Sequence, residues 1–71
     1  MPRMTLSARN QLTGTIEEIR TGEIMAQVTV NVGNHIIESV ITRTSAEAMG
    51  LKKGDSVKAV IKATEVMIQK G

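Results

Sequence analysis

Not one phenylalanine, tyrosine, tryptophan or cysteine occurs among the 71 residues of this chain, and that absence restricts its fold more than any motif does. Aromatic side chains normally supply the largest buried areas of a small core. A domain of this length buries only roughly 60% of its unfolded surface, so without them one copy encloses little. Disulfides and cysteine-based zinc sites are excluded, and the lone histidine, His35, makes no metal site by itself. The remaining way to bury aliphatic surface is between copies. The composition therefore predicts a single domain, residues 1–71, that self-associates and has no stable monomer.

Short apolar segments punctuated by glycine make the plan β-rich. Gln11 to Ile19 sets Leu12, Gly14 and Ile16 on one face, and the doubled Glu17-Glu18 breaks the phase, which predicts a bulge or strand end. Arg20-Thr21-Gly22 reads as a turn. Ile24, Ala26, Val28, Val30 and Val32 then alternate with more polar residues as the clearest half-buried strand. Gly33-Asn34 predicts a tight hairpin, and Ile36 to Thr42 the returning strand, apolar on both faces at Ile36-Ile37 and Val40-Ile41. Thr44-Ser45-Ala46-Glu47 fits a capping box opening a helix of one or two turns that stops at Gly50. Lys52 to Asp55 is a surface turn, Val57, Ala59, Ile61 and Ala63 mark a fourth strand, and Val66 and Ile68 a short fifth. The expected architecture is all-β: a five-stranded OB-type barrel with one short helical turn between strands 3 and 4, oligomeric.

Met1 to Leu12 holds Pro2, Arg3, Arg9 and Asn10 without a sustained apolar run, so neither a signal peptide nor a spanning segment is expected, and the location expected is cytoplasmic. The net charge of +2 favours anions mildly and is too small for a nucleic-acid footprint. No enzyme is expected either. Catalysis needs a nucleophile with its base, paired carboxylates or a metal, whereas the seven acidic residues are scattered through turns, strand ends and a cap. A barrel binding single-stranded nucleic acid is the alternative reading, and it lacks every aromatic stacking platform.

Three stretches combine hydroxyls with cations: Ser7-Ala8-Arg9-Asn10, Thr42-Arg43-Thr44-Ser45 and Lys62-Ala63-Thr64. Together they suit a fully ionised tetrahedral dianion such as molybdate, tungstate or sulfate, which accepts hydrogen bonds and donates none. Ser45 falls in the first turn of the short helix, where unpaired N–H groups face outward. Taken singly, the same residues also fit a tail, a helix cap and an outward-facing strand lysine.

The wording of these stretches carries a resemblance. Ser7 to Leu12 with Gly14, then Val40-Ile41-Thr42, Ser45, Gly50-Leu51, Gly54-Asp55 and Ala59 to Met67 look like the molbindin family, across nearly the whole chain. The same TOBE-type module occurs at the end of molybdate-import ATPases and in molybdate-responsive regulators. The resemblance implies an OB-type barrel assembled as a hexamer, a trimer of dimers, with molybdate or tungstate bound at subunit interfaces for intracellular storage and homeostasis. It implies that Ser7, Arg9 and the backbone of Ala8 and Asn10 approach the anion from one subunit. Thr42, Ser45, Lys62 and the backbone of Ala63 approach from a neighbour. It also leaves Met25, Val60 and Met67 as surplus apolar residues on outer faces.

Overall fold

The structure is a computed structural model and describes residues 8–71. Along the chain run β1 (Asn10–Thr21), β2 (Met25–Val32), β3 (His35–Thr42), α1 (Arg43–Met49) and β4 (Ser56–Ile61), followed by a 3-10 turn at Ala63–Glu65. The strands form one antiparallel sheet in the order β3-β2-β1-β4.

β1 organises the sheet because it is shared. Its first half pairs with β4 and its second half with β2, and Thr15 stands opposite both Asn31 and Ser56. Two features bend it there. At Gly14 a Cβ would lie 2.5 Å from the Asn31 carbonyl oxygen and 2.8 Å from Val30 Cγ1, so β2 packs directly over the bare backbone and only glycine admits it. Two residues on, the register passes from Ile16↔Val30 to Glu18↔Thr29 and Glu17 is the extra residue. This is the bulge the doubled glutamate predicts. A bulge adds twist, and Glu17, freed from the ladder, accepts a hydrogen bond from Asn31 Nδ2.

The bend turns β2, β1 and β4 toward a common inner face. Ile16, Val28 and Val30 are buried at its centre, with Ile19, Val32, Ile37, Ile41, Leu51 and Val57 packed around them. Ile16 is the one large side chain that is fully buried among the described residues. The core is thus small and aliphatic, as a chain without aromatics requires.

α1 closes one end of this face, and Ala46 is its buried residue. Its cap differs from the expected capping box. Thr42 is the N-cap, held extended as the last residue of β3, and its hydroxyl oxygen accepts from the Ser45 amide at 3.1 Å. Helical geometry begins at Arg43 because the strand hands over directly, which puts Thr44 inside the first turn. Glu47 then lies four residues from Arg43 and pairs with its Nε at 2.9 Å instead of reaching a cap. At the other end the expected stop at Gly50 holds: its φ of 62° is a left-handed conformation, and its amide donates to the carbonyls of Ala46 and Glu47.

Three further expectations are corrected. β1 continues through Thr21, so the turn comes later, at Gly22 to Ile24, where the Gly22 amide donates to the Met25 carbonyl. Ile24 is consequently outside β2 and 75% exposed, not part of its buried face. Most importantly, β4 ends at Ile61, Ala63 enters the 3-10 turn, and residues 66–71 have no regular structure. The described chain has four strands, not the expected five. β3 and β4 remain as the sheet edges, and both border one apolar groove of about 410 Å³ whose floor includes Ile16, Val28 and Val30.

Candidate functional site

The expected anion ligands fall at three places. Ser7 lies outside the described residues. Ala8, half-buried, and Arg9, exposed, lead into β1, and the Asn10 side chain donates from Nδ2 to the Ile61 carbonyl at 3.2 Å. Asn10↔Ile61 is the last pair of the β1–β4 ladder, so Arg9 and Lys62 leave the sheet side by side in sequence register. Lys62 is exposed and extended, with φ −67° and ψ 140°. Its carbonyl accepts from the Glu65 amide at 2.9 Å, and Ala63 opens the 3-10 turn that follows.

One end of the sheet therefore collects two cations and the amide of Asn10. The ion pairs among the described residues are Arg20–Glu18, Arg43–Glu47 and Lys52–Asp55, and neither Arg9 nor Lys62 belongs to them. Two cations without a carboxylate partner attract an anion more strongly than paired ones do.

The second place is the β3–α1 junction. Thr42 Oγ1 donates to Ser45 Oγ at 2.8 Å while accepting from the Ser45 amide. That assignment spends the Thr42 hydrogen locally and leaves the Ser45 hydroxyl as the outward donor. Arg43, the cation of this stretch, is occupied by Glu47.

Thr42 closes β3 and Lys62 follows β4, so the two groups belong to opposite edges of the sheet and no hydrogen bond joins them. They are related through the groove, since Ile41 and Ile61, the residues immediately before them, both line it. That groove is the element the sequence reasoning missed.

A larger hollow of about 660 Å³ lies elsewhere, bordered by Glu17, Glu18, Lys52 and Lys53. It is an unsuitable anion site because its two carboxylates oppose its two ammonium groups, and Lys52 is already paired with Asp55 at 3.4 Å. Among the described residues no group of three or more His, Cys, Asp or Glu side chains is placed to hold a metal ion, and no helix is long and apolar enough to cross a membrane.

A curled antiparallel sheet with a capped helix after its third strand and unpaired cations at its end defines a small β-domain of the binding type. The TOBE domain model matches residues 6–68. The chain belongs to the TOBE domain family, in the molbindin group that the sequence resembles. It is 44% identical over 66 residues to molybdenum-pterin-binding protein 1 of Clostridium pasteurianum, covering 92% of this chain and 97% of that protein. Among solved structures it resembles a molybdate-binding protein from Sporomusa ovata, with a TM-score of 0.91 at 36% identity over 94% of this chain and 100% of the other. It also resembles the cytoplasmic molybdate-binding protein ModG with molybdate bound, at a TM-score of 0.79 and 46% identity, over 84% of this chain and 43% of ModG.

Proposed function

We propose that the protein binds molybdate or tungstate as the bare tetrahedral oxyanion, at interfaces between copies of the chain, and serves to store and buffer it in the cytoplasm. The observation that supports this reading is that Arg9 and Lys62 both leave the β1–β4 end of the sheet without a carboxylate partner among the described residues, so each copy offers one cation to the site on either side of it. In the proposed site Ser7, Arg9 and the backbone of Ala8 and Asn10 come from one subunit. Thr42, Ser45, Lys62 and the Ala63 backbone come from a neighbour. Apart from Thr42, which donates to Ser45 in the single chain and positions that hydroxyl, these groups are donors, which matches a ligand that only accepts. The assembly proposed is a hexamer, a trimer of dimers. Exposed apolar residues support association: Met25, Ile36, Val40, Val60 and Met67 remain open in the single chain.

Relatives named for molybdenum-pterin raise the question of a pterin ligand. A bare oxyanion fits better, because the chain has no aromatic side chain on which a pterin ring can stack. The same absence disfavours single-stranded nucleic acid, and the protein is proposed as a binding protein, not an enzyme. Phosphate is disfavoured for a different reason: partly protonated near neutral pH, it sets a hydroxyl against donors with no acceptor to receive it.

The test is elemental analysis of protein purified from cells supplied with molybdate or with tungstate, followed by calorimetric competition among molybdate, tungstate, sulfate and phosphate. Stoichiometric molybdenum or tungsten, with phosphate failing to displace it at equal concentration, is expected. Protein that carries neither element and binds neither anion in the calorimeter overturns the reading.

A further inference from the structure

The stretch of β1 from Asn10 to Gly14 pairs with β4 alone, because the β1–β2 ladder begins at Thr15. β4 is in turn an edge strand with β1 as its one neighbour. This end of the sheet is therefore a two-stranded ribbon, a structure that is marginal in water and frays from its last pair. The last pair is Asn10↔Ile61, and Arg9 and Lys62 are attached directly to it. Whether the two cations keep fixed positions depends on whether this pair stays closed.

A side chain closes it. Asn10 Nδ2 donates to the Ile61 carbonyl at 3.2 Å, and only the NH2 end of a carboxamide can face a carbonyl oxygen. That carbonyl belongs to the same peptide as the Lys62 amide, so holding one fixes the plane of the other. Beyond it the Lys62 carbonyl accepts from the Glu65 amide at 2.9 Å. Lys62 is thus held on both sides, by Asn10 before it and by the 3-10 turn after it. The fold itself has little need of the Asn10 bond, which is exposed at a ladder end while the core is built from Ile16, Val28 and Val30.

We propose that the Asn10 side chain is a positioning residue for the oxyanion site, a role that rests on the ligand reading above: without touching the anion, its carboxamide keeps the ladder end closed so that Lys62 meets the ligand in one orientation. Without this bond the end is closed for only part of the time, and apparent affinity falls by that fraction. One net hydrogen bond corresponds to a loss of about 2- to 10-fold. Aspartate at this position does more harm than alanine. Its carboxylate has the same shape but cannot donate to the Ile61 carbonyl, and it offers Arg9 and Lys62 an internal anion that competes with the ligand.

Calorimetric titration of the full-length protein with molybdate and with tungstate tests the role. Asn10→Ala is expected to weaken both anions within that range, and Asn10→Asp to weaken them further, while the ligand-free melting midpoint and the size on a sizing column stay unchanged. Coupling separates positioning from direct contact. The loss caused by Asn10→Ala is expected in full on top of Ser45→Ala, and to shrink toward zero in a Lys62→Ala background titrated at raised molybdate. Hydrogen exchange without ligand is expected to quicken in Asn10→Ala at the amides of Ile61 to Ala63. Wild-type affinity in Asn10→Ala, or unchanged exchange at those amides, overturns the proposal. A loss that is fully additive with Lys62→Ala also does so, by giving the Asn10 side chain its own contact with the anion. So does a loss accompanied by a lower ligand-free melting midpoint, which makes the bond a support of the fold. Wild-type protein that binds neither anion overturns the ligand reading and the positioning role with it, an outcome distinct from tight wild-type binding that is indifferent to Asn10→Ala.

Discussion

The two halves of the sheet are built to different standards. Where β1 crosses β2, Ile16, Ala26, Val28 and Val30 are each at most 4% exposed, and Gly14 lets the strands approach as closely as backbone allows. Where β1 crosses β4, Val57, Ala59 and Ile61 are only half-buried, Leu12 and Val60 are exposed, and the tail beyond carries Met67 and Ile68 in the open. The first half is packed by the chain alone. The second, which also holds Arg9, Asn10 and Lys62, leaves its apolar side chains open in the single chain and is the half that the proposed association covers. An anion site located there inherits that dependence, so ligand binding and assembly are expected to reinforce each other.

The contrast breaks first at the core. Ile16→Ala leaves a cavity in the packed half and is expected to cost about 2–5 kcal/mol, enough to unfold much of a domain this small. Chemical denaturation measures it, and a cost near zero means the packed half is not the stabilising one. Next in size is the ligand effect. At about 100 times its dissociation constant, molybdate stabilises by about 2.7 kcal/mol per site. Lys62→Ala is expected to remove most of that gain while leaving the ligand-free melting curve nearly unchanged. If Lys62→Ala retained the full molybdate-dependent shift, Lys62 would not belong to the site.

Ser45→Ala sharpens the comparison more finely. One neutral hydrogen bond is worth about 0.5–1.5 kcal/mol net, so its effect on molybdate-dependent stabilisation is expected to be a fraction of that of Lys62→Ala; calorimetry on both variants ranks them. The smallest effect concerns the cap. Thr42→Ala removes the acceptor for the Ser45 amide and is expected to cost about 1 kcal/mol, whereas Thr44→Ala, one position inside the helix, is expected to be close to neutral. Melting curves without ligand separate the two, and a larger loss in Thr44→Ala than in Thr42→Ala returns the cap to Thr44.

Legibility in the sequence followed the range of the interactions involved. The bulge at Glu17, the turn at Gly33-Asn34 and the helix stop at Gly50 are local features, written in a few neighbouring side chains, and each is where the pattern puts it. Local spacing places the cap at Thr44, two positions late, because the choice between Thr42 and Thr44 depends on how far β3 stays paired with β2, and Met25 stands opposite Thr42. Ile24 lies outside β2 for the same reason, since alternation continues past the last residue that finds a partner. At the site, the sequence identified residue types that suit an oxyanion. It carried no record that Asn10 and Ile61, 51 positions apart, are hydrogen-bonded.

From sequence alone come the β-rich class, the expectation of self-association and the donor character of the candidate ligands. These depend on composition and on spacings of two to four residues, which elementary geometry and side-chain chemistry decide locally. Tertiary structure alone decided which strands become edges, which cations stand together without carboxylates, and that the last apolar segment does not join its own sheet. Alternating valine and isoleucine at Val66 and Ile68 has the pattern of a strand with one buried face, yet Val66 and Ile68 are 45% and 88% exposed. A two-residue alternation does not say whether a partner strand lies within reach, because only the three-dimensional path of the backbone decides that.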